Sequence, residues 1–157
     1  TRYWRDWSSD VCSSDLAMLT TPELAKHLRH GMHAATFGGN PIAAAAGVAA
    51  IRMIEDEGLL AHVDRAAEAF RARLLALKDS CDAVRDVRVI GMMIGVELSI
   101  DGAAVVQACL DRNLLVNATQ GRVIRLLPAM TVTTAEVEEG CEKLAEAIRE
   151  VAARGAA

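Results

Sequence analysis

Residues 83–100, AVRDVRVIGMMIGVELSI, switch the chain from helical to strand periodicity. Met93, Gly95, Glu97 and Ser99 alternate with Ile94, Val96, Leu98 and Ile100, the period of two expected of a strand with one buried face. Together with the preceding run AVRDVRVIG and Gly91, the alternation predicts a β-hairpin.

Both flanks read as helix. Upstream, Val63, Ala66, Ala67, Phe70, Leu74 and Leu77 recur at intervals of three and four, with Arg65, Glu68, Arg71 and Arg73 off the stripe, so one helical face is buried. Before it, Pro41 opens an alanine-rich helix through about Glu57, Gly58 interrupts it and Leu59 restarts it; the two form a long bent rod. Thr21-Pro22-Glu23 starts a further short helix that ends near His30-Gly31. Downstream, GAAVVQACLDRN is a short helix with Val105, Val106, Cys109 and Leu110 inward. A strand LLVNAT, a turn at Gln120-Gly121 and a strand RVIRLLP ended by Pro128 follow. Thr133 or Thr134 then caps a last helix with Val137, Cys141, Leu144, Ala145, Ile148 and Val151 on its apolar stripe. Helices followed by short strands with helices on one face make an α+β layout.

The bulk numbers fit a soluble domain. The chain has 157 residues, 52% of them hydrophobic, with a formal charge of −4, enough to bury a core and no basic field for nucleic acid. No apolar run approaches the roughly 18 residues a membrane helix needs. Cys12, Cys81, Cys109 and Cys141 form no CxxC pair, which argues against a zinc or redox motif and for reduced thiols in a cytoplasm. Tyr3, Trp4 and Trp7 supply three of five aromatic residues. The stretch DWSSDVCSSDL, residues 6–16, reads as a translated sequencing adapter, so residues 1–16 are taken as a non-native leader. The alternative is a real Ser/Asp-rich leader.

Candidate chemistry is sparse. The loop TFGGNP, residues 36–41, joins the Thr36 hydroxyl, two glycines and a helix N-terminus, the parts of a phosphate seat; it also reads as a simple helix cap. It lacks a Walker lysine and follows no strand, so neither the P-loop nor the dinucleotide fingerprint applies. His27, His30 and His33 lack an acidic or thiol partner and read as exposed polar residues, so no metal site is expected. Arg125, between Ile124 and Leu126, needs a carboxylate partner or a substrate, and both remain open. Glu97 reads as solvent-facing, and Met92-Met93 as core filler.

In this order AMLTTPELAKHL, HAATFGGNPIAAAA, IRMIEDEGLL, MMIGVEL, LLVNATQGRVIRLLPAMTVT and the closing acidic helix resemble the C-terminal part of the class III pyridoxal-phosphate aminotransferases, over residues 17–151. The branch acting on N2-acetylornithine is nearest. The resemblance implies a fold type I transferase. Residues 17–57 would be the end of the large cofactor domain and the start of the connecting helix, and residues 58–157 that helix plus a small α+β domain with a short, largely antiparallel sheet covered by helices. It implies pyridoxal 5′-phosphate as cofactor and a homodimer with shared sites, in which Thr36 reaches the phosphate of the partner subunit's cofactor. Ala35 stands where the family commonly has a substrate-contacting serine, and Arg125 matches the family arginine near the substrate's carboxylate side and its acidic partner.

The implied reaction is amino transfer between N2-acetylornithine and 2-oxoglutarate, small amino and oxo acids, in arginine biosynthesis in the cytoplasm. Ornithine, succinylornithine or 4-aminobutyrate are alternatives, as is a non-catalytic dimerisation module. No catalytic residue is assigned, because the family's Schiff-base lysine lies upstream of the resembling region. Lys26, Lys78 and Lys143 sit outside any such motif, so the chain alone is expected to be an inactive fragment.

Overall fold

The structure, a computed structural model, describes residues 20–29 and 40–155. Among the described residues, five helices and four strands run in the order α1 (Pro22–Ala25), α2 (Pro41–Asp56), α3 (Leu59–Ser80), β1 (Val84–Ile90), β2 (Met93–Leu98), α4 (Gly102–Leu110), β3 (Asn117–Thr119), β4 (Val123–Leu126) and α5 (Thr134–Gly155). The chain divides between Glu57 and Gly58 into two compact units.

In the first unit, Thr21 caps α1, its side chain accepting from the Leu24 N–H at 3.4 Å. The helix is only four residues long, shorter than the run to His30 expected from its start signal, as isolated short helices gain too little to extend. Asn40 caps α2, its Oδ1 accepting from Ile42 N at 2.8 Å and Ala43 N at 3.4 Å, and Pro41 takes the first turn. No residue of α2 is buried within the unit.

The second unit begins at Gly58, whose φ of 61° suits glycine and ends the helical run. Its sheet has the order β1-β2-β4-β3, with every pair antiparallel. The hairpin expected from the alternation is present. Ile90 pairs with Met93 across a two-residue turn, and Gly91 holds φ 53° at its first position, the sign hairpin turns require. A bulge between Val84 and Asp86 shifts the register of β1.

One sheet face makes the core. Val84, Val89, Ile94, Val96, Leu98 and Ile124 meet Phe70, Leu74 and Leu77 of α3, Val105 and Cys109 of α4, and Val137, Leu144, Ala147 and Ile148 of α5. The stripes of α3 and α5 are largely those the periodicity predicts, except that on α3 Leu59 is buried and Val63 only partly so, and on α5 Ala147 is buried where Ala145 only flanks the core. On α4, Leu110 is 49% exposed and Ala108 is buried instead; the helix ends at Leu110, so that side chain escapes the contact. Met92 packs against the core, whereas Met93 is exposed on the opposite sheet face.

Thr133 resolves the final cap. Glu136 N donates to its Oγ1 at 3.3 Å, and Thr133 N donates to Glu136 Oε2 at 2.8 Å, a reciprocal capping box. The Thr133 N–H, and the Thr133 hydroxyl donating to the same carboxylate oxygen at 2.7 Å, hold the Glu136 carboxyl below its ordinary pKa. Asp101 caps α4 through Ala103 N and Ala104 N. Gly102, the first residue of α4, donates its N–H to Gly121 O at 2.9 Å. A Cβ there would lie 2.7 Å from that same backbone oxygen and 3.2 Å from Ala118 Cβ, so α4 and the β3–β4 turn approach only because residue 102 has no side chain. Gly102→Ala is expected to cost about 1–3 kcal/mol, read from the urea midpoint by circular dichroism. A change under about 0.5 kcal/mol, the range of an ordinary surface substitution, would show that the turn moves aside freely.

Candidate functional site

The site is built on the sheet face that no helix of the second unit covers. Alternation on β4 sends Ile124 into the core, fully buried, and so puts Arg125 on the other side, exposed. The register sets Arg125 between Gly95 of β2 and Asn117 of β3. Arg88 of β1 lies across Gly95 in the same row.

The two arginines differ in one respect. Arg88 Nη1 donates to Glu97 at 2.8 Å and to Asp86 at 3.0 Å, and Lys78 Nζ approaches Asp86 at 3.7 Å. The Glu97 hydrogen bond is the largest effect on the Arg88 guanidinium; desolvation, the next largest, opposes it, and with the attraction of Glu97 and Asp86 added the pKa lies above its ordinary value. Glu97 faces the solvent side of the sheet, as the alternation predicts, and is paired there with Arg88. Arg125 has no hydrogen bond or ion pair among the described residues. Of the two readings its sequence position left open, the internal ion pair is not what the described residues form. Exposed Ile90, Met93 and Leu127 lie on or beside the same face.

The segment after β4 is anchored from α3, where the His62 Nε2 lies 2.8 Å from Val132 O. Beneath it, Phe70, Leu114, Leu126, Pro128 and Val132 line a small apolar cavity of about 140 Å³.

Thr36 and Ala35 lie outside the described residues, as do His30 and His33. What is described of that loop is its last residue, Asn40, serving as the helix cap. His27 is exposed, and no group of three potential metal ligands occurs among the described residues. Desolvation raises the thiols of Cys109 and Cys141 to about 11, so both stay protonated near neutrality and neither is a nucleophile. Lys78 pairs with Asp86 and Lys143 with Glu139, while Lys26 ends the exposed helix α1. The described residues by themselves do not fit pyridoxal phosphate: none of these lysines lies in an enclosed site. Among them, too, no helix is long and apolar enough to cross a membrane.

The charge cluster around Arg88 was not singled out from sequence, although the hairpin turn contains the signal. A two-residue turn at Gly91-Met92 forces residue 88 opposite 95 and brings Arg88 within reach of Glu97.

Comparison with known proteins agrees with this layout. The family described as "Aminotransferase class-III" matches residues 14–148. The acetylornithine aminotransferase of Methanothermobacter thermautotrophicus is 36% identical over 135 residues, 86% of this chain and 35% of that protein. That of Archaeoglobus fulgidus is 42% identical over 120 residues, 76% of this chain and 30% of its own. The chain thus spans about a third of the length of the curated relatives it matches. Among solved structures, the ornithine aminotransferase of Toxoplasma gondii, described with partial occupancy of PLP at its active site, superposes with a TM-score of 0.76 at 28% identity, covering 84% of this chain and 32% of that one. The acetylornithine aminotransferase of Elizabethkingia anophelis gives 0.76 at 26% identity, over 84% and 36%.

Proposed function

The chain belongs to the class III aminotransferases, and from that membership we propose that it supplies the C-terminal part of an acetylornithine aminotransferase, moving an amino group between N2-acetylornithine and 2-oxoglutarate. The observation that carries the reading is Arg125, a guanidinium with no partner among the described residues, on an open sheet face. A planar, permanently charged fork of donors suits a substrate carboxylate, and 2-oxoglutarate offers two. Relatives bearing the acetylornithine name, at 33–42% identity over most of the chain, support the substrate.

Pyridoxal phosphate, when bound, supplies the electron sink of such a transfer. In this proposal Thr36 holds its phosphate across a homodimer interface, the remaining contacts come from the longer protein, and the chain alone is inactive. Arginine biosynthesis in the cytoplasm completes the reading, consistent with the free thiols of Cys81, Cys109 and Cys141. The alanine at position 35 removes a hydroxyl from the substrate side, so ornithine is the second substrate to test.

Three measurements check this. With pyridoxal phosphate and borohydride, the chain is expected to show no stoichiometric label at any one lysine; full labelling of Lys26, Lys78 or Lys143 would contradict the inactive-fragment reading. Resequencing the source DNA ahead of residue 17 is expected to extend the frame into a lysine-bearing segment. The completed enzyme should turn over acetylornithine faster than ornithine, succinylornithine or 4-aminobutyrate, and the reverse order would overturn the substrate.

A further inference from the structure

Gly140 sits well inside the 22-residue helix α5, a position where glycine weakens a helix relative to alanine. Neither the backbone nor the packing requires it. Gly140 is not among the residues of positive φ, and a Cβ there would meet only Leu114 Cδ1, at 3.9 Å, an ordinary contact. What the missing methyl group provides is volume. Gly140 lines the apolar cavity under residues 127–132, together with Phe70 of α3, Leu114, Leu126 of β4, Pro128 and Val132.

The cavity measures about 140 Å³, and an apolar cavity of about 150 Å³ stays dry and takes benzene or xenon. Its polar groups are already engaged. Glu136, the ionised residue at its wall, accepts on Oε2 from the Thr133 N–H at 2.8 Å and from the Thr133 hydroxyl at 2.7 Å. The Val132 carbonyl takes the His62 Nε2, and the Val132 N–H donates to Ala129 O at 3.1 Å. These bonds also fix the segment above the helices, so it does not settle into the space below. Leu115 and Leu127, 85% and 58% exposed, belong to the lining as well, and the cavity opens to solvent past them.

We propose that this cavity is a binding site for a small uncharged apolar molecule, one aromatic ring or a short branched alkyl chain in size, and that Gly140 keeps it open. The inference is independent of the reading of Arg125, because Leu126 packs on the helix-covered side of the sheet and Arg125 lies on the other. A cavity of this size, walled by α3, β4, α5 and the segments beside them, holds one small molecule and no peptide segment. Charged amino and oxo acids are excluded, since burying a charge there leaves it without a partner.

The test titrates the 157-residue chain with benzene and follows the methyl resonances of its leucine, isoleucine and valine residues by NMR. Those of Leu114, Leu126 and Val132 are expected to shift together and saturate, with a dissociation constant of about 1 mM, within what so small a ligand can supply. The exposed Ile42, Val48 and Ile51 of α2 are the internal control and should not follow. Gly140→Ala is expected to raise the urea midpoint through its helix propensity and to weaken benzene binding about tenfold, because the added methyl group crowds a space that a ring fills. A variant that is more stable and binds less cannot have lost its site by misfolding. Shifts that never saturate, or that α2 shares, would show partition onto exposed apolar surface only and overturn the proposal. A Gly140→Ala chain that binds benzene as tightly as the parent also overturns it, as does one with a lowered midpoint, since packing would then require the glycine.

Discussion

Leu74→Ala is expected to destabilise the second unit by about 3–4 kcal/mol. Leu74 has no exposed surface and lies on the α3 stripe, within a core shared with β1, β2 and α5. Its truncation removes the transfer free energy of the lost methyl groups. It also leaves a cavity between a helix and a sheet that cannot both move inward, because α3 packs on β1 and on α5 at once. Urea denaturation followed by helical circular dichroism should show the midpoint falling at an unchanged slope. A loss below about 1 kcal/mol, well under the usual range for a buried leucine, would mean that the core collapses onto the vacancy and that its packing is looser than described.

Arg125→Gln is expected to behave in the opposite way. The guanidinium has no described partner, so stability should stay within about 0.5 kcal/mol of the parent, the range of a surface substitution. In the completed enzyme its loss should raise the KM for 2-oxoglutarate roughly 10- to 100-fold, since a hydrogen bond to a charged group contributes about 1.5–3 kcal/mol. Arg125→Lys keeps the charge and loses the fork, and should recover only part of the affinity. If the glutamine variant instead unfolds the domain while the remaining activity keeps its KM, Arg125 is a structural residue and the proposed site is misplaced.

The contrast between these two residues shows where the sequence was legible. Leu74 and its stripe, the inward set Ile94, Val96 and Leu98, the break at Gly58 and the turn at Gly91 were all readable, because each is written in neighbours a few positions apart. The edges were less so. Leu110 was expected inside and is exposed, since the helix ends there, and the strand RVIRLLP pairs only over Val123–Leu126. Met92-Met93 reads in the sequence as one unit of core filler, yet the turn sends the two side chains to different surroundings.

Local periodicity, caps and turn residues therefore determined the elements, their faces and the family resemblance. They also singled out Arg125 as a charge in need of a partner. Only the tertiary structure decided that this partner is not an internal carboxylate among the described residues. Placing β4 beside β2, with β3 outside it, sets residues 88, 95 and 125 in one row although they are distant in sequence. Strand order and register are non-local, fixed by crossovers and by burial of the whole inner face. The pairing of Glu97 with Arg88 and the exposure of Arg125 follow from that arrangement.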